Sequence, residues 1–203
     1  MLDVFEITRL HDEATLRWHG PDPWPLQWPS PPSTLVEAAL ANHRANFDLW
    51  HEEDKAREPD ANDARIAAVK RSIDVLNQTR NDLVESMDRI LLAAAGDQSP
   101  TTPLHSETPG LILDRLSILA LKIYHTTEET QRASATDAHR QRNFARLALL
   151  REQRDDLAAC LHALWNEVLT GRRRFKLYRQ MKMYNDPDLN PSMYTYKLTH
   201  KSS

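Results

Sequence analysis

The chain has 203 residues, a net charge of −3 and a mean hydropathy of −0.63, which suits one soluble domain with flanking arms. Its single cysteine excludes an internal disulfide and fits a reducing compartment. No apolar run is long enough to cross a bilayer, and the N-terminus lacks the basic and apolar regions of a secretory signal. We therefore expect a cytoplasmic protein without a membrane span.

The first 32 residues are predicted to be an extended arm rather than a helix. Trp18, Trp24 and Trp28 lie in or next to a stretch with six prolines between positions 21 and 32, and proline interrupts helices. Because tryptophan is costly to expose to water, we expect this arm to lie on the body of the protein as a strap.

Residues 33–170 are predicted to form an all-α domain of four long helices. Thr34 and Glu37 have the spacing of a capping box, and Gly96 has the position of a C-terminal cap. Apolar side chains recur at steps of three and four, which indicates helices rather than strands. The predicted bounds are about 34–57, 63–95, 108–134 and 136–170.

The sequence overlaps itself when it is shifted by 74 residues. Trp50-His51 falls on Tyr124-His125, and Arg80-Asn81-Asp82-Leu83 falls on Arg154-Asp155-Asp156-Leu157. The offset stays constant over roughly forty residues, which indicates a duplicated unit. The predicted architecture is therefore a helical bundle made of two tandem, pseudo-repeated helical hairpins.

Residues 171–203 form a basic, aromatic segment. They carry eight Lys and Arg residues against two Asp residues, a net charge of +6, which leaves −9 on residues 1–170. The segment could dock on the acidic body as a C-terminal strap, or it could bind a phosphate-bearing ligand. We do not expect nucleic acid as a partner, because the body is acidic.

Each predicted hairpin places one acid and one arginine at interior positions. The acids are Asp54 and Glu128, and the arginines are Arg80 and Arg154. A charge removed from water has to be paired or bound to a ligand. One interpretation is two structural ion pairs, Asp54 with Arg80 and Glu128 with Arg154. The other is a polar ligand site in the middle of the bundle.

The second interpretation gathers the polar residues around these positions into one site. His43, His51 and His125 are candidate ligands or bases. The sequence contains no zinc-ligand spacing, glycine-rich phosphate loop or nucleophile elbow, so no metal ligand, cofactor or catalytic residue is assigned. The candidate ligand-binding residues are Trp50, His51, Glu53, Asp54, Arg57, Asp74, Asn77, Arg80, Asn81, Asp82, Asp114, Arg115, Lys122, His125, Arg154, Tyr184 and Asn185.

Four stretches of the sequence resemble a known family. They are Asn46-x-x-Leu49-Trp50-His51-x-Glu53-Asp54-x-Ala56-Arg57, Lys70-x-x-Ile73-Asp74-x-Leu76-Asn77-Gln78-x-Arg80-Asn81-Asp82, Asp114-Arg115-Leu116-Ser117-Ile118-Leu119-Ala120-Leu121-Lys122-Ile123-Tyr124-His125 and Lys182-Met183-Tyr184-Asn185-Asp186-Pro187. Together they are similar to the bacterial domain-of-unknown-function family numbered 4254. The resemblance implies a helical fold and no established activity. Because members of that family are often encoded near glycosyltransferases and cell-surface polysaccharide genes, it also implies a link to glycan assembly.

Three functions are open on this basis. The first is a non-catalytic accessory or binding protein of surface-glycan biosynthesis with a glycosyltransferase as a partner. It would hold a sugar nucleotide or another phosphorylated small molecule on Arg80, Arg154 and the basic C-terminal segment. The second is a metal-dependent hydrolase of a phosphorylated compound that uses Glu53, Asp54, Asp74, Asp82 and Glu85. The third is a structural bundle without a ligand, which would form oligomers such as a homodimer.

Overall fold

The computed structural model describes residues 2–21, 31–179, 181 and 188–191. These residues form five α-helices, and an all-α fold is therefore confirmed for this part of the chain. The helices are α1 (Val4–Trp18), α2 (Leu35–Lys55), α3 (Asp63–Ala95), α4 (Pro109–Gln131) and α5 (Asp137–Leu169). Among the described helices, none combines the length and the apolar character that a bilayer span needs.

The prediction of an extended N-terminal arm is wrong for residues 4–18, which form α1. Asp3 caps the helix, because its Oδ1 accepts from the backbone N–H of Glu6 at 3.0 Å. Ile7, Ala14 and Trp18 are buried and recur on one face of the helix. All the prolines that argued against a helix follow position 20, so they lie beyond α1 rather than inside it.

The other four helices pack as two hairpins. α2 packs along α3, and α4 packs along α5. α2 and α4 begin 74 residues apart, at Leu35 and Pro109, and so do α3 and α5, at Asp63 and Asp137. This is the offset at which the sequence overlaps itself. α1 is a fifth helix that lies against α2, α4 and α5.

The predicted capping box at the start of α2 is confirmed. Thr34 Oγ1 accepts from the backbone N–H of Glu37 at 3.2 Å, and Glu37 Oε2 accepts from the backbone N–H of Thr34 at 3.0 Å. These two hydrogen bonds satisfy backbone donors that have no partner inside the helix. They fix the residue at which α2 starts.

The main hydrophobic core takes buried residues from all five helices. Met87, Leu116 and Leu161 are each fully buried there. Gly110 lets α4 approach α3 closely, because a Cβ atom at this position would lie 2.7 Å from Asp88 Oδ1 and from the Val84 carbonyl oxygen. The backbone N–H of Gly110 donates to Asp88 Oδ1 at 2.7 Å.

The first residues of the basic C-terminal segment dock on the loop between α3 and α4. The backbone N–H of Arg174 donates to the Pro103 carbonyl at 3.0 Å, and its carbonyl accepts from His105 at 2.7 Å. Phe175 is 2 % exposed and joins the main core. Some residues that the sequence singled out lie outside the described residues; they are Trp24, Trp28 and the stretch 182–187, which contains Tyr184 and Asn185.

Candidate functional site

A cleft of about 400 Å³ between α2, α3 and α4, here named the α2–α4 cleft, brings six of the predicted site residues together. Residues spaced three and four apart along α2 share one helix face, and that face forms one wall of the cleft. Arg57, just beyond the end of α2, and residues of α3 and α4 supply the rest of the lining. The lining residues are Asn46, Leu49, Trp50, Glu53, Asp54, Arg57, Asn77, Arg80, Ile118 and Leu121.

An ion pair between Arg80 and Asp114 lies beneath the α2–α4 cleft. Arg80 donates from Nε to Asp114 Oδ1 at 2.8 Å and from Nη2 to Oδ2 at 2.6 Å. The Arg80 side chain is 29 % exposed, whereas that of Asp114 is 5 % exposed. The hydrogen bonds that Arg80 donates to Asp114 raise the pKa of Arg80 above its usual value, so the guanidinium stays charged.

Two amide side chains complete the surroundings of the Asp114 carboxylate. Asn42 and Asn46 both donate from Nδ2 to Asp114 Oδ1, at 3.0 and 2.9 Å. Asn46 Nδ2 also lies 3.0 Å from Ser117 Oγ. A buried carboxylate that is fully hydrogen-bonded and paired holds its arginine in one orientation. Arg80 is therefore fixed at the inner end of the cleft.

Both ion pairs predicted from the sequence are wrong. Asp54 is exposed at the cleft, and Arg80 pairs with Asp114 instead. Glu128 accepts from His125 Nδ1 at 2.8 Å, and Arg154 donates to Asp12 of α1 at 3.0 Å. Helical periodicity shows which residues face inward, but it does not fix the register between neighbouring helices. That register decides which charges meet.

The charges of the α2–α4 cleft are largely balanced within the protein. Arg57 Nη1 lies 2.8 Å from Glu53 Oε2, and Arg80 is neutralised by Asp114. The cleft thus offers carboxylate, guanidinium and amide groups beside the indole ring of Trp50. This mixture of acceptors and donors on a partly apolar surface is typical of a site for a small polar molecule.

The residues that line the α2–α4 cleft all lie in the part of the chain that a known family covers. The family model described as "Protein of unknown function (DUF4254)" matches residues 36–177. The chain belongs to the DUF4254 family. Among curated proteins and among solved structures, no significant match is found. The function of this DUF4254 chain therefore has to be argued from the geometry of its own residues.

The remaining predicted residues do not converge on the α2–α4 cleft. Arg115 and Lys122 line a second cleft of about 600 Å³ between α4 and α5, which also contains Asp156. Asp74 forms an ion pair with Lys70 on α3. The two remaining predicted residues of α3 are Asn81 and Asp82. Asn81 is half-buried, and Asp82 is exposed and accepts a hydrogen bond from Gln78 at 2.8 Å. The single polar site predicted in the middle of the bundle is thus divided among separate places.

Three histidines meet at the Trp50 end of the α2–α4 cleft. They are the predicted residues His51 and His125 together with His19, which sequence reasoning missed. One ring nitrogen from each lies within 4.8 Å of the corresponding nitrogens of the other two, and all three side chains are half-buried. Burial lowers the pKa of His19, and the neighbouring histidines act in the same direction. Neutral imidazoles at this spacing could hold a metal ion.

His43, a third histidine candidate from the sequence, is part of the core rather than of an open site. It is fully buried, and its Nδ1 and Nε2 lie 2.8 Å from Ser117 Oγ and Thr15 Oγ1. Its ring packs against those of His11 and Trp18 at 4.6 and 5.2 Å between centroids. Burial lowers the pKa of His43 well below its usual value and that of His11 to about 4. Both rings are therefore neutral in the folded protein at pH 7.

Proposed function

We propose that this DUF4254 chain is a non-catalytic accessory protein of bacterial surface-glycan biosynthesis in the cytoplasm. It would bind the sugar part of a sugar nucleotide, or of another phosphorylated sugar, in the α2–α4 cleft. The observation that carries this proposal is the combination of an indole ring with balanced donors and acceptors in one cleft of about 400 Å³.

The polar groups of the cleft match the hydroxyl groups of a sugar. Each hydroxyl can donate and accept, so a sugar site needs both kinds of partner. Glu53 and Asp54 supply acceptors, Arg57 supplies donors, and the Asn77 amide supplies both. Trp50 adds an apolar ring face against which the C–H groups of a sugar ring can pack.

The same groups suit a sugar better than a phosphate. A phosphate is best held by cations whose donors are free to form charge-assisted hydrogen bonds. In the cleft, Arg57 is paired with Glu53, and Arg80 is held at two points by Asp114. Arg80 and Arg154 line different clefts, so they do not form the shared anion site suggested by the sequence.

The acids named for a metal-dependent hydrolase do not support that alternative. Among the described residues, the group of His, Cys, Asp and Glu side chains close enough to hold a metal ion consists of three histidines and contains no carboxylate. Glu53 is paired with Arg57, and Asp74 is paired with Lys70. A magnesium cage needs at least two carboxylate oxygens directed at one point.

The link to glycan assembly rests on the family. The resemblance of the Trp50–Arg57 and Asp74–Asp82 stretches to that family implies gene neighbours that encode glycosyltransferases, and these two stretches supply most of the polar residues of the cleft. A glycosyltransferase is the proposed partner. In this role the protein would hold or deliver the sugar donor that the partner consumes.

Ligand-dependent thermal unfolding in EDTA tests the proposal. The unfolding temperature of the wild-type protein would be measured alone and in the presence of each ligand. The ligands are UDP-glucose, UDP-N-acetylglucosamine and GDP-mannose, and UDP and GDP without a sugar. A ligand present at a hundredfold excess over its dissociation constant adds about 2.7 kcal/mol to the free energy of unfolding. We expect this stabilisation from at least one sugar nucleotide and less from the corresponding nucleotide alone.

Matched variants locate the binding. Trp50→Ala and Asn77→Ala should each weaken the affinity by about tenfold or more, since each removes a contact worth about 1.4 kcal/mol or more. Phe144→Ala removes an aromatic ring that is 51 % exposed on α5 and should leave the affinity unchanged. Equal binding by wild type and Trp50→Ala, or no stabilisation by any sugar nucleotide, would contradict the proposal.

A further inference from the structure

We propose that His19, His51 and His125 form a binding site for a divalent transition-metal ion, of which Zn²⁺ is the best fit. None of these residues lines the α2–α4 cleft. The metal site and the sugar site are therefore separate inferences, and each can fail without the other.

The three ligands come from three different helices. His19 is the C-cap of α1, His51 lies in the last turns of α2, and His125 lies in the second half of α4. The distances between ring centroids are 5.3 Å for His19 and His51, 5.1 Å for His19 and His125, and 6.0 Å for His51 and His125. A metal ion would tie α1 to the two hairpins at this point.

The hydrogen bonds of the three rings leave the same nitrogen available on each. His19 Nδ1 lies 2.8 Å from the Thr15 carbonyl, and His51 Nδ1 lies 2.8 Å from the Phe47 carbonyl. A carbonyl oxygen only accepts, so both Nδ1 atoms carry the proton and donate. When such a ring is neutral its lone pair is on Nε2, which is a form that binds metal ions.

Two of these lone pairs are buried without a partner. Within the described residues, His19 Nε2 and His125 Nε2 are shielded from solvent and make no hydrogen bond. A buried acceptor that is left unsatisfied costs free energy and calls for an explanation. A metal ion that these nitrogens ligate together with His51 satisfies both.

The groups around the rings are those that support histidine ligands. His125 Nδ1 donates to Glu128 Oε2 at 2.8 Å, which gives the carboxylate–histidine arrangement that orients a ligand and makes it more basic. Trp50 stacks on His125 at 4.8 Å and Tyr124 stacks on His19 at 4.3 Å, measured between ring centroids. These rings restrict the imidazoles to the orientations in which they converge.

The ligand set selects the class of ion. Imidazole nitrogens suit Zn²⁺, Cu²⁺, Ni²⁺ and Co²⁺, whereas Mg²⁺ and Ca²⁺ prefer oxygen ligands. Three histidines leave at least one coordination position of Zn²⁺ for water or another ligand. Because Trp50 lines the α2–α4 cleft and also stacks on His125, the proposed metal lies next to that cleft.

Histidine NMR of the unaltered sequence tests the site without any substitution. Tag-free, EDTA-treated protein would be titrated with Zn²⁺ while long-range ¹H–¹⁵N spectra report both ring nitrogens of the nine histidines. We expect saturation at one equivalent, with large Nε2 shifts confined to His19, His51 and His125. Saturation at other histidines, or no saturable binding at one equivalent, would overturn the proposal.

Zn²⁺ calorimetry on variants gives the second test. His19→Gln and His125→Gln should each weaken binding by about a hundredfold, and Glu128→Gln by about tenfold to a hundredfold. His162→Gln and Cys160→Ser alter exposed metal-binding side chains elsewhere and should change nothing. Wild-type affinity in folded His19→Gln protein, or a loss of binding in His162→Gln, would also overturn the proposal.

Discussion

Replacing Asp114 by alanine removes a buried carboxylate that holds three side chains in place. Two nitrogens of Arg80 and the amides of Asn42 and Asn46 donate to it. The alanine variant leaves the guanidinium beneath the α2–α4 cleft without its counter-ion, and it leaves both amides without their shared acceptor. The expected result is a marked loss of stability with no change of fold.

The size of the loss depends on the exposure of the partners. Removing one member of a buried ion pair costs about 3–5 kcal/mol. Arg80 is 29 % exposed, so its charge can regain water in the cleft, and Asn46 keeps Ser117 Oγ as an acceptor at 3.0 Å. Both facts place the destabilisation by Asp114→Ala near the lower end of this range, at about 3 kcal/mol. That is a large part of the free energy of unfolding of a typical protein, about 5–15 kcal/mol.

Urea unfolding followed by circular dichroism measures this loss. A double-variant cycle with Arg80→Met should give a coupling of at least about 1 kcal/mol, because the two side chains are in direct contact. Asp156→Ala removes an exposed carboxylate and should cost less than about 0.5 kcal/mol. A cost below about 1 kcal/mol for Asp114→Ala, or a coupling of zero within error, would refute the reasoning.

Three further predictions concern the stability of the fold. Gly110→Ala should destabilise by about 1–3 kcal/mol in urea unfolding, because the new methyl group meets Asp88 and backbone of α3 at 2.7 Å; unchanged stability would show that α4 does not approach α3 so closely. Thr34→Ala should cost about 1 kcal/mol, because the cap of α2 is lost, and equal stability would contradict the capping box. For His11, burial lowers the pKa in the folded state to about 4, so the unfolded chain takes up its proton first as the pH falls from about 6.5 towards 4. Between pH 7.5 and 4.5 wild type should therefore lose about 2–3 kcal/mol more than His11→Phe. Parallel curves of the free energy of unfolding against pH for the two proteins would refute this. Burial raises the pKa of Asp88 to about 6, so Asp88 stabilises the folded state as the pH falls, but it does so equally in both proteins.

The hairpin helices could be predicted closely because their ends carry local signals. Thr34 and Thr108 cap α2 and α4, and Gly96, with a φ of 69°, ends α3. Such signals act within one turn of a helix and need no knowledge of the tertiary structure. α1 carried signals of the same kind, namely the Asp3 cap and the apolar spacing from Val4 to Trp18. The prolines beyond it outweighed them in the prediction from sequence.

The parts of the candidate site that lie on one helix could be predicted from the sequence. The contacts between residues of two different helices could not. Trp50, Glu53 and Asp54 share a face of α2, and Arg57 follows at the same spacing just beyond its end, so their convergence on one cleft is a consequence of helical geometry. The choice of Asp114 rather than Asp54 as the partner of Arg80 depends on how α4 is placed against α3. His19 could not be found, because it lies at the end of the helix that was missed and precedes the residues 36–177 that the family covers.

The claim that the α2–α4 cleft binds a sugar nucleotide is tested most directly at the indole N–H of Trp50. ¹⁵N-labelled protein in EDTA would be titrated with the three sugar nucleotides in turn, while the side-chain signals of the five tryptophans are monitored. Saturable movement of the Trp50 signal is expected for at least one of them, with the signal of Trp165, which is 3 % exposed in the core, unmoved. A Trp50 signal that stays in place throughout all three titrations would contradict the account.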